Sequence, residues 1–156
     1  MKVKCIGGGP SGLYFAVLMK LRDPSHHVEV YERHDENDTF GWGVVLSDQV
    51  TDDVIREDPV LAERMMRHCA QWNSVELRLR DSSSVTSGHR YIGIGRNKLL
   101  NILGERAREV GVEVHYGVEV TSLDDFQDAD LVIASDGINS KVRSQFAEHF
   151  EPDIDT

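Results

Sequence analysis

The sequence predicts an α/β fold with a parallel sheet and a small antiparallel β element. Three patterns predict it. An apolar strand pattern runs into a cluster of glycines and a helical pattern, and a second strand pattern follows within about thirty residues of the first. Two segments in the middle of the chain resemble paired, half-buried strands. Two more apolar strand patterns come after a long helical one, as in a sheet that helices cover.

The first sixty residues begin with a strand–turn–helix–strand pattern. "KVKCI", residues 2–6, reads as a short buried strand. Beyond Gly12, the apolar residues Leu13, Val17 and Leu21 recur at helical spacing, and Pro24 ends the helix because proline cannot continue its hydrogen bonds. "HVEVYE", residues 27–32, is the second strand. This βαβ unit should have parallel strands joined by a right-handed crossover.

The middle of the chain predicts two helices and the antiparallel element. Residues 34–46 read as irregular, and a helix follows with Ser47 as its N-cap. Proline suits the first turn of a second helix, predicted over residues 59–72. "SVELRLRD" alternates as a strand does, and "HRYIGIG" is its partner after a polar loop over residues 81–88.

The last third predicts a helix and two more strands. The helical pattern starts at Arg96 and stops at Gly111, a natural C-cap. "VEVHY" is a third parallel strand, and "DADLVIASDG" carries the continuous apolar run expected in the middle of a covered sheet. The final residues show no strong pattern. At 156 residues, the chain has the length of one domain, and we expect one over residues 1–156.

Composition excludes several classes of function. The chain has 17 Lys and Arg against 27 Asp and Glu, a formal charge of −10, and lacks the basic clusters that bind nucleic acid. No apolar run is long enough to span a membrane, and the N-terminus is not of signal-peptide type, so we expect a cytoplasmic protein. Cys5 and Cys69 form no disulfide framework, and His26-His27 reads as a solvated strand entry, so no metal site is expected.

The glycine turn carries the first candidate site, Gly7-x-Gly9-x-x-Gly12. The first glycine permits a tight turn, the second lets backbone approach a pyrophosphate, and the third allows close packing of helix on strand. The helix that starts there, with Pro10 and Ser11 in its first turn, offers free N–H groups to phosphates. This context predicts a Rossmann-like nucleotide site.

The end of the second strand carries the next candidate. Glu32 lies about twenty residues after the glycines, where a carboxylate accepts hydrogen bonds from a ribose diol. Arg33 follows it and is a candidate for contact with the adenosine or its phosphates, or a plain surface residue. These residues leave FAD and NAD nearly tied as the cofactor.

A third motif points to a family. Asp136-Gly137 follows a buried strand directly, with Ser140 and Arg143 at set distances. With these residues the chain resembles the class A flavoprotein aromatic hydroxylases, the family of p-hydroxybenzoate hydroxylase. The resemblance implies that Asp136 and Gly137 contact FAD and that the motif is also involved in NADPH binding. It is strongest for the CoA-thioester hydroxylases, the salicylyl-CoA 5-hydroxylase and aminobenzoyl-CoA monooxygenase group, with a violacein-pathway hydroxylase as a near neighbour.

Other segments extend the resemblance across residues 2–143. "GRNKLLNIL" resembles the family helix whose arginine, here Arg96, contacts the pyrophosphate or ribitol region of FAD. "FGWGVVL" resembles the glycine-rich loop beside the flavin ring, which implies that Gly41 and Gly43 are flavin neighbours and that Trp42 packs near the ring. Val120 matches the position whose backbone meets the adenine, although a plain strand valine explains it almost as well.

The resemblance implies an aromatic monooxygenase that takes hydride from NAD(P)H onto FAD and uses dioxygen to hydroxylate a small aromatic substrate or an aryl-CoA. No residue stands out as catalytic. The family's second FAD motif, Gly-Asp-Ala, and its substrate-domain sheet have no match after Ser144, so we expect residues 1–156 to be the FAD-binding portion of a longer or truncated chain. Three alternatives stay open: an NAD-linked dehydrogenase, another flavin oxidoreductase, and a nucleotide-binding fragment without turnover. The oligomeric state is also open, a homo-oligomer included.

Overall fold

The computed structural model describes residues 1–36, 38 and 41–152. The chain divides into two compact units, of which unit 1 comprises Met1–Asp38 with Leu103–Thr156 and unit 2 comprises Thr39–Ile102. The expectation of one domain over residues 1–156 stays a prediction, because its last four residues lie outside the described ones. Each unit is built on its own sheet.

Unit 1 contains a four-stranded parallel sheet. Its strands are β1 (Lys2–Ile6), β2 (His27–Glu32), β6 (Glu113–Tyr116) and β7 (Leu131–Ala134), in the spatial order β6-β2-β1-β7. β1 pairs with β2 on one side and with β7 on the other, so that Cys5 lies opposite both Val30 and Ile133. The carboxyl ends of the four strands therefore meet at one edge of the sheet.

Helices connect strands of unit 1 and follow its last strand. They are α1 (Pro10–Arg22), the 3-10 helix Leu123–Phe126, α5 (Lys141–Gln145) and α6 (Ala147–Phe150). α1 packs against β1 and β2 and buries Leu13 and Val17. It ends where Asp23 adopts an extended conformation, one residue before Pro24.

Unit 2 contains the antiparallel element. Its strands are β3 (Gly43–Leu46), β4 (Ala70–Leu79) and β5 (Ser82–Gly95), in the order β3-β5-β4. Two helices, α2 (Asp48–Glu57) and α3 (Pro59–Met66), accompany them, and α4 (Arg96–Val110) begins in unit 2 and continues into unit 1. The predicted fold class, a parallel sheet with a small antiparallel element, is confirmed.

Three predicted element boundaries in unit 2 are wrong, each because strand pairing prevails over the local pattern. α3 ends at Met66, and the last predicted helical residues enter β4, where Trp72 lies opposite Tyr91 with its ring stacked 5.9 Å away. The predicted polar loop over residues 81–88 is strand from Ser82 onward, because β5 starts there and pairs with β4 directly after the hairpin turn. Residues 43–46, predicted as irregular, form β3.

Two further expectations differ in detail. β7 lies at an edge of the described parallel sheet instead of its middle, because β1 is the strand that pairs on both sides. Ser47 is the N-cap residue of α2, but its side chain makes no capping hydrogen bond; its carbonyl accepts from the Thr51 hydroxyl at 2.9 Å. In the part of the chain that is described, no helix is both long and apolar enough to cross a membrane.

An ion-pair cluster ties the segment before β7 to β1. The Lys4 side chain is 7% exposed, and its Nζ lies 2.8 Å from Asp128 Oδ1 and 4.8 Å from the centroid of the Phe126 ring. The Lys2 ammonium also contacts Asp128. Hydrogen bonds from Lys2 and Lys4 lower the pKa of the Asp128 carboxyl to about 2. The carboxylate therefore stabilises the folded chain.

We expect Asp128→Asn to destabilise the chain at pH 7, and the difference from the unsubstituted chain to shrink in acid. The folded pKa of Asp128, about 2, is below the value of about 3.9 typical of an unfolded chain, so its stabilisation is complete above the unfolded pKa and is lost as the pH falls toward 2. Urea unfolding midpoints at pH 7, 4 and 3 measure the difference. Asp81→Asn, in the exposed turn between β4 and β5, is the control; a difference that stays constant down to pH 3 contradicts the assignment.

Candidate nucleotide-binding site

The carboxyl edge of the parallel sheet gathers the sequence-predicted residues of unit 1. The glycine turn follows β1, Glu32 ends β2, and Asp136-Gly137 comes just after β7. In open α/β sheets, ligands bind in the crevice outside the carboxyl ends of the strands. The topology therefore places these residues where a ligand is expected.

Two glycines of the turn are required by close packing. Gly7 has φ of +102°, and its N–H donates to the Tyr31 carbonyl at 2.8 Å. A Cβ on Gly7 would overlap the Ser135 carbonyl group, and a Cβ on Gly12 would overlap the Gly7 carbonyl oxygen. No other residue type fits either position without moving the backbone. The turn is thus pressed against both α1 and the segment after β7.

Gly9 serves a different purpose. It is the N-cap residue of α1, with an ordinary φ of −69°, and a Cβ built on it would meet no described atom within 4 Å. Pro10 occupies the first helical position, where its missing N–H costs nothing, and Ser11 beside it is exposed. The N-terminus of this 13-residue helix is therefore open and carries a positive partial charge, as an anionic phosphate requires.

Glu32 is held in place by two backbone donors. Its Oε2 accepts from the Gly8 N–H at 2.7 Å, and its Oε1 accepts from the His34 N–H at 2.9 Å. Each carboxylate oxygen has a second lone pair, so the group can still accept hydrogen bonds from a diol. A Cβ on Gly8 would lie 2.8 Å from the Glu32 Cβ. Gly8 is not one of the three glycines of the Gly-x-Gly-x-x-Gly motif. Its place in a run of three glycines was the one sequence signal for its contact with Glu32.

The residues around Asp136-Gly137 order the loop that leads into α5. Asp136 Oδ2 accepts from the Lys141 N–H at 2.8 Å, and Ser140 Oγ accepts from the Arg143 N–H at 2.9 Å. The Arg143 guanidinium donates to the Ile138 carbonyl. Gly137 has φ of +84°, with no described atom within 4 Å of a Cβ built on it. Ser140 is therefore the N-cap residue of α5, and Asp136 accepts from the first backbone N–H of that helix. A contact of Asp136 with a cofactor stays a prediction.

Two other predicted residues of unit 1, Arg33 and Val120, lie outside the strands of the parallel sheet. Arg33 is exposed, and its Nε donates to His34 Nε2 at 3.0 Å. Val120 packs, half-buried, against the cluster formed by Ile6, Phe126 and Val142, in a segment that belongs to no strand. The strand valine considered for this position is thus not observed, and the backbone of Val120 stays a candidate for adenine contact.

Unit 2 brings the other predicted residues together. The Trp42 carbonyl accepts from the Arg96 N–H at 3.2 Å, and a Cβ on Gly41 would lie 3.8 Å from Arg96 Cδ. A Cβ on Gly43 would lie 2.8 Å from the Ile94 carbonyl oxygen. The Trp42 side chain is 100% exposed. Phe40 of the predicted flavin loop lies outside the described residues.

The donors and acceptors of the unit 1 residues fit the adenosine diphosphate portion of a dinucleotide cofactor such as FAD. The open helix N-terminus beside Gly9 suits a pyrophosphate, and the Glu32 carboxylate suits a ribose diol. Arg96 Nε is buried and has no hydrogen-bond partner among the described residues, so this donor is left for a ligand or water.

A group of potential metal ligands lies at the opposite edge of the parallel sheet. Ligand atoms of His27, Glu29 and Glu113 come within 4.8 Å of one another where β2 and β6 begin. Spacing along the chain gave no hint of it, because Glu113 comes from a distant strand. Glu29 also lies 3.8 Å from the Lys4 ammonium, which competes with a cation for its carboxylate. The expectation of no metal site stays a prediction.

Comparisons with known proteins extend these observations. Residues 5–43 match a family described as an NAD(P)-binding Rossmann-like domain. The chain is 42% identical over 152 residues to salicyloyl-CoA 5-hydroxylase from a Streptomyces species, covering 97% of this chain and 29% of that protein. It is 27% identical over 169 residues to protodeoxyviolaceinate monooxygenase from Chromobacterium violaceum, covering 99% of this chain and 42% of that protein.

A solved structure shares the fold. The tetrameric form of 2-methyl-3-hydroxypyridine-5-carboxylic acid oxygenase aligns with a TM-score of 0.80 at 24% sequence identity, over 93% of this chain and 42% of that one. The comparisons confirm the resemblance drawn from the sequence motifs. This chain spans 29% and 42% of the lengths of the two curated relatives.

The close packing of the glycine turn predicts that two Gly→Ala substitutions differ in their effect. We expect Gly12→Ala to lower the free energy of unfolding by about 1–3 kcal/mol or more, because its Cβ overlaps the Gly7 carbonyl oxygen. Gly9→Ala should stay within about 0.5 kcal/mol, because its Cβ points into open space. Urea unfolding of the two variants without nucleotide tests this. Equal effects of the two substitutions would contradict the packing of the turn.

Proposed function

We propose that this chain is the FAD-binding part of a flavin-dependent monooxygenase that hydroxylates an aromatic substrate with dioxygen and a hydride from NAD(P)H. The observation that carries the proposal is the 42% identity to salicyloyl-CoA 5-hydroxylase, which extends over 97% of this chain. The similarity to a second monooxygenase supports the reaction class. The name of the first relative favours an aryl-CoA thioester as the substrate.

The residues of unit 1 bind the adenosine diphosphate portion of FAD in this proposal. The turn Gly7–Gly12, with Gly9, Pro10 and Ser11 at the start of α1, approaches the pyrophosphate. Glu32 accepts hydrogen bonds from the adenosine ribose, with Arg33 close to it in sequence. Three further unit 1 residues complete the proposed set: Val120, Asp136 and Gly137.

The residues of unit 2 serve the flavin portion. Gly41 and Gly43 keep the backbone free of side chains next to the ring, and the exposed Trp42 indole supplies an apolar face. The unpartnered Arg96 Nε donates to the pyrophosphate or ribitol region. FAD supplies the redox chemistry, and the chain's own residues bind and orient it. We assign no catalytic residue.

The remaining proposals concern the protein's surroundings. We expect it to act in the cytoplasm, on a small aromatic molecule or aryl-CoA, and without nucleic acid. The oxygenase that shares this fold was solved in a tetrameric form, so a homo-oligomer is the assembly to test first.

A second candidate follows from the match of residues 5–43 to an NAD(P)-binding domain: an NAD-linked or other flavin-linked oxidoreductase on the same fold, or a nucleotide-binding chain without turnover. The visible spectrum of the purified chain, and titration with FAD, FMN and NAD, separate these functions. FAD bound tightly with flavin absorption supports a flavin-linked enzyme, the class to which the proposed monooxygenase belongs. NAD bound without flavin overturns it.

Substitution of Glu32 tests the assignment of the adenosine half. We expect Glu32→Ala to weaken FAD binding by about 1–3 kcal/mol, or about 5- to 150-fold in Kd, because the ribose hydroxyls lose their acceptor. FMN has no adenosine, so its affinity should change much less. Glu113→Ala, at the other edge of the sheet, is the matched control. Flavin fluorescence titration gives both affinities, and equal FAD affinity in the Glu32 variant and the control would refute the role.

Substitution of Arg96 tests the flavin half. We expect Arg96→Met to leave the unfolding free energy of the nucleotide-free chain unchanged or higher, because it removes a buried donor without a described partner. FAD binding should weaken by about 1.5–3 kcal/mol, the usual range for a charged hydrogen bond. Lys98→Met, an exposed cation on the same helix, is the control. A variant that loses stability but keeps its FAD affinity would show that Arg96 is purely structural.

A further inference from the structure

We propose that Ser135 is a positioning residue for the glycine turn: together with Glu32, it holds the peptide between Gly7 and Gly8 from both sides and so sets the orientation of the turn before any ligand binds. The part of this inference that concerns nucleotide affinity rests on the proposed function. The part that concerns the turn itself does not.

The two hydrogen bonds involve the two ends of one peptide group. The Ser135 hydroxyl lies 3.0 Å from the Gly7 carbonyl oxygen. The Gly8 N–H donates to Glu32 Oε2 at 2.7 Å. The C=O and N–H of a trans peptide point in opposite directions within its plane, so the two side chains hold opposite edges of the peptide group. Rotation of this plane would break both hydrogen bonds.

The Ser135 hydroxyl lies near two backbone carbonyls, those of Ile6 and Gly7, and the two differ in their other hydrogen bonds. Ser135 Oγ also lies 2.9 Å from the Ile6 carbonyl oxygen, and a hydroxyl donates only one hydrogen. The Ile6 carbonyl already accepts from the Ser135 backbone N–H at 2.8 Å. Donation to Gly7 therefore adds a bond that the backbone of Ser135 does not supply.

The turn needs such a restraint because of its composition. Three consecutive glycines have no Cβ atoms to limit rotation, and Gly7 adopts the positive φ that glycine reaches easily. The close fit adds to the restraint, since a Cβ on Gly12 would lie 2.5 Å from Ser135 Oγ. The hydroxyl thus fills the space between the turn and α1. It acts through the Gly7–Gly8 peptide and is not a catalytic residue.

Ser144 provides a matched comparison. Its hydroxyl also donates to a backbone carbonyl, that of Ser140, at 3.0 Å, and it also belongs to unit 1. Ser135→Ala and Ser144→Ala therefore remove the same kind of bond, at the turn in one case and in α5 in the other. Ser135→Cys keeps a weak donor at the position and should behave between alanine and serine.

The first measurement is amide hydrogen exchange of the chain without nucleotide. We expect Ser135→Ala to speed exchange of the Gly8 amide by about fivefold or more, relative to the core amides of Val28 and Val30 in the same sample, because loss of the restraint opens the turn locally. Ser144→Ala should leave this ratio unchanged. An unchanged ratio in Ser135→Ala, or acceleration shared by the core amides, overturns the proposal. If the alanine variant does not fold, Ser135→Cys is measured against the same criterion.

The second measurement is FAD affinity by flavin fluorescence. We expect Ser135→Ala to raise the Kd about fivefold to thirtyfold, and Ser144→Ala to leave it within about twofold. Faster Gly8 exchange with an unchanged Kd overturns the link to the nucleotide. An unsubstituted chain that binds no FAD contradicts the proposed function, while the exchange experiment still decides the role of Ser135.

Discussion

The parallel pairing of β1 with β2 and β7 is the constraint on which the rest of unit 1 depends. Its register sets Cys5 opposite both Val30 and Ile133, so the three chain segments leave the sheet at the same level. The glycine turn, Glu32 and the loop after β7 are thereby forced into contact. A shift of one residue in either pair would turn every side chain of the strand to the opposite face. The ion pairs from Lys4 and Lys2 to Asp128 hold the segment before β7 at this register.

The close contacts at this edge explain the residue types found there. Backbone atoms occupy the space that side chains would take at Gly7 and Gly12, and the Glu32 side chain takes it at Gly8. Gly9 is the exception, since its position leaves open space for a ligand. The glycine turn therefore combines three glycines that pack against neighbouring atoms with one glycine, Gly9, that has open space beside it. The same logic applies to Gly43 in unit 2, which lies against the Ile94 carbonyl.

Sequence patterns predicted the features that depend on neighbours in the chain. The βαβ unit could be predicted from local periodicity. The position of Glu32 at the end of β2 could be predicted from its distance along the chain to the glycines. The contact of Ser135 with the turn could not be predicted, because Ser135 lies more than a hundred residues from the turn and meets it only through strand pairing. The predicted end of α3 and the predicted start of β5 were wrong for a related reason. Their residues have a local pattern that favours a helix or a loop, but the hydrogen bonds between β4 and β5 satisfy their backbone groups.

The two backbone donors on Glu32 have a consequence for the entropy of binding. A carboxylate already held at 2.7 and 2.9 Å by Gly8 and His34 has little rotamer freedom left to lose when a ligand arrives. The Trp42 side chain, fully exposed, has nearly all of its freedom to lose. In the proposed FAD complex, binding would therefore order Trp42 much more than Glu32, so the entropic cost would be smaller at the adenosine end. Such a difference would favour capture of FAD by its adenosine end first.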